Sequence, residues 1–155
     1  MTKTNAIRML EGRGVAFEIL SYEYVEEDSG AVVAAQKLGV SPERVFKTLV
    51  TSCGDAGHVV FCIPGDATLD RKKAAAAAGC RRVELVPVKE LFDLTGYVRG
   101  GCSPIGMKKP FPVLVDEIAT AFDWILVNAG SRGLQAKLDP HVLEEVVGAR
   151  FADLV

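Results

Sequence analysis

One stretch of the chain, residues 95–109, is too rich in glycine to form a helix or a central strand. Its glycines are Gly96, Gly100, Gly101 and Gly106. Glycine loses more backbone entropy in regular structure than any other residue, so the stretch predicts a loop packed tightly against the fold. Adjacent Gly100 and Gly101 would let a ligand approach the backbone and would aim N–H groups at an oxyanion or a phosphate. A glycine-rich turn with a solvated basic end at Lys108 and Lys109 explains this stretch equally well.

A lysine interrupts an apolar run, Val45–Val50, that is typical of a strand covered on both faces. The ammonium of Lys47 must reach the strand edge, pair with a carboxylate, or face a cavity that holds an anion or a carbonyl. Reaching solvent at the edge is the commoner outcome for such a lysine. Lys47 is therefore either a side chain that extends to solvent or a site residue.

Length and composition favour one domain, which we place at residues 1–155, because 155 residues with 49% hydrophobic content can bury a core of their own. Neither a membrane-length apolar run nor a signal segment is evident, so we expect a soluble, cytoplasmic protein. The net charge of −2 argues against a protein that coats nucleic acid. Basic clusters at 71–73, 81–82 and 108–109 leave room for a local basic surface, although each is more often a solvated face.

The cysteines and histidines follow no metal-site or disulfide pattern. The four cysteines are Cys53, Cys62, Cys80 and Cys102. They include no C-x-x-C pair, which favours a reducing compartment and a fold that needs no disulfide. His58 and His141 lie far apart and outside any ligand spacing, so we expect two surface histidines and no metal site.

Apolar periodicity, caps and breakers predict helices and strands without strict βαβ alternation, hence an α+β domain with a mixed or largely antiparallel sheet. We expect helices after caps at Thr2 or Thr4, Ser29, Asp70 and Asp139-Pro140, and a further helix over 88–94. The second helix should bury Val32, Ala35 and Leu38. The predicted strands are 15–24, 45–50, 58–63, 83–86, 112–115, 124–128 and 134–138. A second glycine-rich loop, 129–133, can line the same cleft as Lys47 and the first loop.

Three segments in the same order and separation resemble the YbaK/EbsC family: 45–50, 94–109 and 130–135. The resemblance runs from about residue 4 to residue 155. It implies a mixed domain built around a twisted, barrel-like sheet with surrounding helices, related to the editing domain of bacterial prolyl-tRNA synthetases and independent of metals and cofactors. It also implies a bacterial deacylase that removes cysteine from mischarged tRNA(Pro). Such proteins work beside prolyl-tRNA synthetase, which supplies the tRNA selection.

The family motifs assign roles to individual residues. The resemblance implies that Lys47, Thr48 and the backbone of Gly100 and Gly101 form the catalytic group around the ester. The substrate-binding residues that it implies are Tyr22, Cys102, Ser103, Asn128, Gly130 and Gln135. The chain departs from the family pattern at Ser29-Gly30, where some members have phenylalanine, at Asn128, where many have serine, and at Gln135, where some have aspartate. These departures bear on amino-acid specificity more than on the fold.

The chemistry that the resemblance implies needs no protein nucleophile. The substrate cysteine uses its own thiol on its own ester, releasing tRNA and a cyclic thioester, while the protein positions the groups and stabilises charge. Two other classes of function stay open: a cysteine hydrolase with Cys102 as nucleophile, which would need a base, and a non-catalytic module that binds an aminoacyl-tRNA end or an amino acid. A deacylase for another small amino acid is a further alternative.

Overall fold

The computed structural model describes residues 3–54 and 57–155. Its strands are β1 (Glu18–Ser21), β2 (Val45–Ser52), β3 (His58–Pro64), β4 (Glu84–Leu85), β5 (Val113–Asp116), β6 (Ile125–Asn128), β7 (Leu134–Leu138) and β8 (Arg150–Ala152). Its α-helices are α1 (Asn5–Gly12), α2 (Ala31–Leu38), α3 (Arg71–Ala78), α4 (Val88–Thr95) and α5 (His141–Val147). Short 3₁₀ helices cover Pro42–Arg44 and Glu117–Ala121. Within the described residues, no helix is long and apolar enough to cross a membrane.

All the strands belong to one sheet, in the order β1-β7-β6-β2-β3-β5-β8, with β4 beside the end of β2. The pairs β1–β7, β6–β7, β2–β3 and β2–β4 are antiparallel. The pairs β2–β6, β3–β5 and β5–β8 are parallel. The α+β class with a mixed sheet is therefore confirmed. Across the described ranges, β1 and β8 have one neighbour each, so the sheet stays open and does not close into a barrel.

Helices begin after three of the predicted caps; before α5, the Asp139 carboxylate accepts a hydrogen bond from the His141 N–H at 2.9 Å. The Thr4 hydroxyl accepts a hydrogen bond from the Ile7 N–H at 3.1 Å, and the Asp70 carboxylate accepts from the N–H groups of Lys72 and Lys73 at 3.0 and 3.1 Å. These bonds satisfy N–H groups that have no partner inside the helix. The alternative cap, Thr2, lies outside the described residues.

The predicted cap of α2 is wrong. The Ser29 hydroxyl donates to the Glu26 carbonyl, and Gly30 stands at the cap position without a side-chain bond. Of the residues predicted on the buried face of α2, Ala35 is buried and Leu38 packs against the core, but Val32 is 38% exposed. A local turn thus outcompetes the cap, because serine hydroxyls bond readily to nearby backbone carbonyls.

Two strand predictions also need correction. The predicted strand 15–24 contains only β1, because β7 offers partners from Lys137 to Leu134 and then enters the second glycine-rich loop. Strand β8 was not predicted. It has three residues and pairs in parallel with β5, so it has neither the length nor the alternation that identifies a strand in a sequence.

The expectation of four reduced cysteines is wrong. Cys53, after β2, and Cys80, after α3, form a disulfide with a Cα–Cα distance of 5.5 Å and a sequence separation of 27. The fold brings the end of the β2–β3 hairpin against the end of α3, and no local spacing signals that meeting. Cys62 and Cys102 remain free thiols.

The two faces of β2 pack against different parts of the molecule. Phe46 and Val50 point into the main core, together with residues of α1 and α5. On the opposite face, Val45 packs against α2 and Leu49 against α3. Because side chains alternate along a strand, Lys47 shares the face of Val45 and Leu49 and lies between the two helix contacts.

Candidate functional site

A cavity of about 200 Å³ lies where β2 changes neighbour. On one edge, β2 pairs with β6 at Val45 and Phe46 and with β4 at Thr51 and Ser52, so the intervening residues have no strand partner on that edge among the described residues. The cavity wall consists of Tyr22, Tyr24, Gly30, Ala31, Ala34, Val45, Phe46, Lys47, Thr48, Gly100, Cys102, Asn128 and Gln135. The volume is below the ~300–1,000 Å³ of sites for drug-sized ligands, so it suits a small group.

Most of the predicted site residues meet at this cavity. They are Tyr22, Lys47, Thr48, Gly100, Cys102, Asn128 and Gln135. Three others, Gly101, Ser103 and Gly130, are absent from its wall. The tertiary structure therefore joins segments that lie far apart in the chain, and it separates neighbours that the sequence motif had grouped.

Lys47 is part of the cavity wall. The half-buried side chain donates a hydrogen bond from Nζ to the Gly65 carbonyl oxygen at 3.3 Å. Burial lowers the pKa of Lys47, and the nearby Asp66 carboxylate opposes that shift. Within the described residues Lys47 forms no ion pair. An ammonium has three donors, so this one retains capacity for a ligand oxygen.

The thiols near the cavity are poor nucleophiles. Burial raises the pKa of both Cys62 and Cys102 to about 12, so both remain protonated near neutral pH. Thr48 lies beside them, with its hydroxyl oxygen 4.0 Å from the Cys62 sulfur. Neither histidine lines the cavity, because His58 packs against a phenylalanine ring and His141 contacts Glu144. The geometry gives a cysteine hydrolase no activated thiol and no histidine base.

Asn128 connects the two glycine-rich loops. Its amide nitrogen donates to the Gly100 and Ser131 carbonyls at 3.1 and 3.3 Å, and its oxygen accepts from the Gly130 N–H at 2.7 Å. The side chain is 9% exposed and its polar atoms are all engaged within the protein. The predicted substrate-binding residues Asn128 and Gly130 therefore fix the shape of the wall.

Gln135 lies on β7 and differs from its cross-strand partner on β6, Asn128. The side chain is 5% exposed, and its Oε1 is buried without a hydrogen-bond partner among the described residues. Burial raises the pKa of Tyr22, and a hydrogen bond with the Gln135 side chain opposes the rise. An unpaired buried acceptor costs about 1–3 kcal/mol of folding free energy.

The first glycine-rich loop closes the cavity by close packing. Gly100 has φ +86°, and a Cβ there would lie 2.9 Å from the Tyr24 hydroxyl. A Cβ on Gly101 would lie 3.0 Å from the Arg132 backbone nitrogen. The Gly101 N–H donates to the Val98 carbonyl at 2.9 Å, so the expected pair of free N–H groups for an oxyanion does not form.

Ser103 has a structural place in the same loop. It is fully buried, and its hydroxyl accepts a hydrogen bond from the Ile105 N–H at 3.1 Å. Tyr97 reinforces the loop by donating from its hydroxyl to the Ile105 carbonyl at 2.7 Å. The loop is thus rigid at its base, and the predicted contact of Ser103 with a ligand has no geometric support.

Several cavity residues escaped the sequence analysis. Tyr24 had the parity of Tyr22 but no other distinguishing feature, and its ring packs 5.3 Å from the Arg132 guanidinium. Ala31 and Ala34, at the start of α2, form an apolar floor. Their small size is the one sequence feature that could have indicated this contact with the cavity. They follow Ser29-Gly30, where the chain departs from the family pattern.

Titratable groups do not form a metal centre here. Among residues 3–54 and 57–155, no three His, Cys, Asp or Glu side chains are grouped closely enough to hold a metal ion. The cavity offers one ammonium, two phenols, a hydroxyl, a thiol and two amides. Such a set can orient a polar ligand and stabilise negative charge, but it includes no general base of ordinary strength.

Comparison with known families gives one domain match. The family model for the aminoacyl-tRNA editing domain matches residues 26–146, which include the whole cavity wall except Tyr22 and Tyr24. The region ends just before β8. Both the second glycine-rich loop and Lys47 lie within it.

Individual relatives extend the match over nearly the whole chain. A protein of Enterococcus faecalis named "Putative Cys-tRNA(Pro)/Cys-tRNA(Cys) deacylase EbsC" is 43% identical over 152 residues, covering 98% of this chain and 93% of that protein. The proline–tRNA ligase of Cupriavidus necator is 28% identical over 129 residues, which are 81% of this chain and 22% of the ligase. A solved structure titled a "putative trans-editing enzyme for prolyl tRNA synthetase" superposes with a TM-score of 0.85 at 27% identity, covering 99% and 98% of the two chains.

Proposed function

The chain belongs to the aminoacyl-tRNA editing domain family, and we propose from that premise that it is a trans-editing deacylase that removes cysteine from mischarged Cys-tRNA(Pro). The observation that carries the proposal is a small cavity with an ammonium and neutral polar groups, but without an activated nucleophile. Such a site suits a substrate that brings its own reagent. Residues 1–155 then act as one editing domain.

We assign the roles of the cavity residues by their free polar atoms. Lys47 holds the carbonyl oxygen of the ester or the terminal nucleotide, because its ammonium has donors to spare. Thr48, on the other face of β2, and Gly100 also line the cavity. The unpaired Oε1 of Gln135 accepts from the α-ammonium of the aminoacyl group. Tyr22 and Cys102 bound the space for the side chain.

The reaction balances without a protein nucleophile. The cysteine sulfur of the substrate forms a bond to its own carbonyl carbon, and the ester bond to the ribose oxygen breaks. The proton of the thiol ends on the ribose hydroxyl, and the amino acid leaves as a cyclic thioester that water opens. Holding the thiol and the carbonyl in one conformation accounts for several kcal/mol of the barrier reduction. Lys47 stabilises the negative charge that develops on the carbonyl oxygen.

The partner proposal follows from the scale of the site. The cavity holds an aminoacyl group and offers little surface for reading a whole tRNA, so tRNA(Pro) selection falls to prolyl-tRNA synthetase. Several relatives are themselves proline–tRNA ligases that contain a region similar to this chain. We place the activity in the cytoplasm, where tRNA is charged, and it requires no metal or organic cofactor.

The test compares cysteine with serine on the same tRNA. Single-turnover rates of Cys-tRNA(Pro) and Ser-tRNA(Pro) hydrolysis are measured near neutral pH at saturating protein. Serine is no larger than cysteine and enters the cavity, but its hydroxyl is a far weaker nucleophile than a thiol that is a few per cent ionised. The seryl ester should therefore react much more slowly while its binding changes little.

Other outcomes would point elsewhere. Equal rates for the two esters would contradict attack by the substrate thiol and favour attack by a water molecule positioned by Lys47 or Thr48. A panel of other mischarged tRNAs, assayed in parallel, identifies a deacylase for a different small amino acid. Binding without turnover over the whole panel would support the non-catalytic module.

A further inference from the structure

A basic groove lies between the first turns of α3 and the segment that leads into β4. Its cations are Arg71, Lys72, Arg81 and Arg82, and its remaining wall is Ala75, Val83 and Glu84. The volume is about 240 Å³, and all four cationic residues are exposed. Among the described residues, the one ion pair within the groove joins Arg82 to Glu84 at 3.5 Å, and both side chains are largely in solvent. Exposed pairs of this kind are weak, so the groove keeps an excess of positive charge.

The backbone beneath these cations is fixed. Cys80, which precedes Arg81, is tied to Cys53 by the disulfide. Val83 is 3% exposed, and Glu84 pairs with Ser52 in the β2–β4 ladder. The cations are therefore presented from a defined surface rather than from a mobile loop.

The basic groove and the cavity lie along the same edge of β2. Strand β3 occupies the other edge, so β6 and β4 both pair on the edge where the cavity opens between them. From Lys47 to Ser52 the distance is about 17 Å, at ~3.4 Å per residue. Lys47 also shares its sheet face with Leu49, which packs against α3. A ligand in the cavity that is longer than about 20 Å can therefore reach the basic groove along this edge.

The opposite end of the β2–β3 hairpin is acidic. A cleft of about 570 Å³ there is lined by Glu43, Asp66, Asp116, Glu117 and Asp153. Arg71 and Lys72 begin α3 near this cleft, because the Asp70 N–H donates to the Leu154 carbonyl and the Leu154 N–H donates to the Asp116 carboxylate. Arg81 and Arg82 follow Cys80, whose disulfide to Cys53 places them at the turn end of the hairpin, away from the acidic cleft. A polyanion that enters the cavity is therefore repelled from the acidic end and attracted toward Arg81 and Arg82.

We propose that the basic groove binds the phosphate backbone of the acceptor stem of the aminoacyl-tRNA whose 3′ end occupies the cavity. This inference rests on the proposed function, because an RNA substrate supplies the polyanion. Double-helical RNA is bound chiefly through its phosphates, its 2′-hydroxyls and its shape, and lysine and arginine side chains are suited to that role. The groove adds affinity that does not depend on sequence, which leaves discrimination between tRNAs to the synthetase.

The experiment compares two double variants of equal charge. Lys72→Ala/Arg81→Ala removes two cations from the basic groove, and Arg8→Ala/Lys89→Ala removes two exposed cations from α1 and α4. Binding of uncharged tRNA(Pro) is measured by fluorescence anisotropy over a range of salt concentrations, alongside KM and kcat for Cys-tRNA(Pro). A third substrate, the cysteinyl ester of adenosine, enters the cavity but has no stem.

The groove variant should raise Kd and KM for tRNA about tenfold and reduce the slope of log K against log salt by about 1 to 2. Its kcat, and its rate on cysteinyl adenosine, should match the wild type. The control variant should stay within about twofold of the wild type in every assay. Circular dichroism and thermal melting establish that each variant is folded, and Lys72→Glu repeats the test at a single position.

Three results would overturn the groove assignment: an unchanged Kd and KM in the groove variant, an equal loss in the control variant, or a loss that appears only when prolyl-tRNA synthetase is present. The last result would assign the surface to a protein partner. Failure of the proposed function looks different. In that case the wild-type protein binds tRNA through the groove, with the same dependence on Lys72 and Arg81, yet deacylates no aminoacyl-tRNA in the panel.

Discussion

The two ends of β2 carry polar residues on the same sheet face, but these residues differ in burial and in hydrogen bonding. At the cavity end, Lys47 is half-buried and makes one hydrogen bond, to the Gly65 carbonyl. At the hairpin end, Thr51 is 1% exposed and donates to the Val59 carbonyl at 2.8 Å, next to the disulfide at Cys53. The closed end supplies stability, and the open end keeps polar capacity for a ligand. Within a few residues, one strand thus provides both stability and polar groups for a ligand.

The cross-strand pair Asn128 and Gln135 repeats this contrast. Both amides are buried at the cavity, but Asn128 uses all its polar atoms to join the glycine-rich loops, whereas Gln135 leaves Oε1 unpaired. Buried polar groups are nearly always paired in folded proteins. An exception at a cavity wall is therefore a better sign of ligand contact than the polarity of the residue itself.

The largest loss of activity is expected for Lys47→Ala, at the cavity end of β2. We expect kcat/KM for Cys-tRNA(Pro) to fall about 100- to 1,000-fold, because one charge-stabilising donor at a reacting carbonyl is worth that much. Circular dichroism and the melting temperature should stay close to wild type. Lys89→Ala, at an exposed lysine of α4, is the matched control. An unfolded Lys47→Ala protein would indicate a structural lysine, and undiminished turnover would remove Lys47 from the site.

The disulfide tests the closed end. Reduction should lower the free energy of unfolding by about 3–4 kcal/mol, since a bridge over this separation removes about that much chain entropy from the unfolded state. Denaturant titrations with and without reductant measure the loss. The variant Cys53→Ser/Cys80→Ser serves as control, because it should be as unstable as the reduced protein and insensitive to reductant. Turnover of the protein that stays folded should not change, and a large drop in kcat on reduction would contradict the separation.

A pair of threonines gives the sharpest comparison within the strand. Thr51→Val should lower the free energy of unfolding by about 1 kcal/mol, because it removes the hydrogen bond from the Thr51 hydroxyl to the Val59 carbonyl, and activity should stay unchanged. Thr48→Val, at the cavity wall, should do the reverse, with a loss of turnover of about tenfold and little change in stability. Urea denaturation and single-turnover assays of both variants decide the matter. If both variants lost mainly stability, or both lost mainly activity, the proposed separation of a stabilising end from a ligand-binding end of β2 would be wrong.

The smallest effect is expected for Cys102→Ala. Turnover should stay within about threefold of wild type, because the reagent thiol belongs to the substrate and the half-buried Cys102 thiol, whose pKa is raised, stays protonated. Steady-state assays suffice. A covalent adduct on Cys102 in the wild type, lost together with activity in the variant, would revive the cysteine hydrolase.

Much of the local structure, and the family, can be predicted from the sequence alone. Caps such as Thr4 and Asp70 start helices because their side chains satisfy backbone N–H groups a few residues away. The motifs around Lys47 and the glycine-rich loops were enough to indicate an editing domain, and the family match bears this out. Signals of this kind lie within a few residues of one another, so they can be read without the fold.

Which of the motif residues line the cavity depends on the packing of distant segments. Ser103 and Gly101 belong to the same glycine-rich stretch as Gly100 and Cys102, yet their polar groups are bonded within the loop. The Cys53–Cys80 bridge, the parallel strand β8 and the unpaired oxygen of Gln135 likewise depend on contacts between distant segments. A side chain is free for a ligand only when no other part of the fold uses its polar atoms, and that is a property of the packed chain rather than of its sequence.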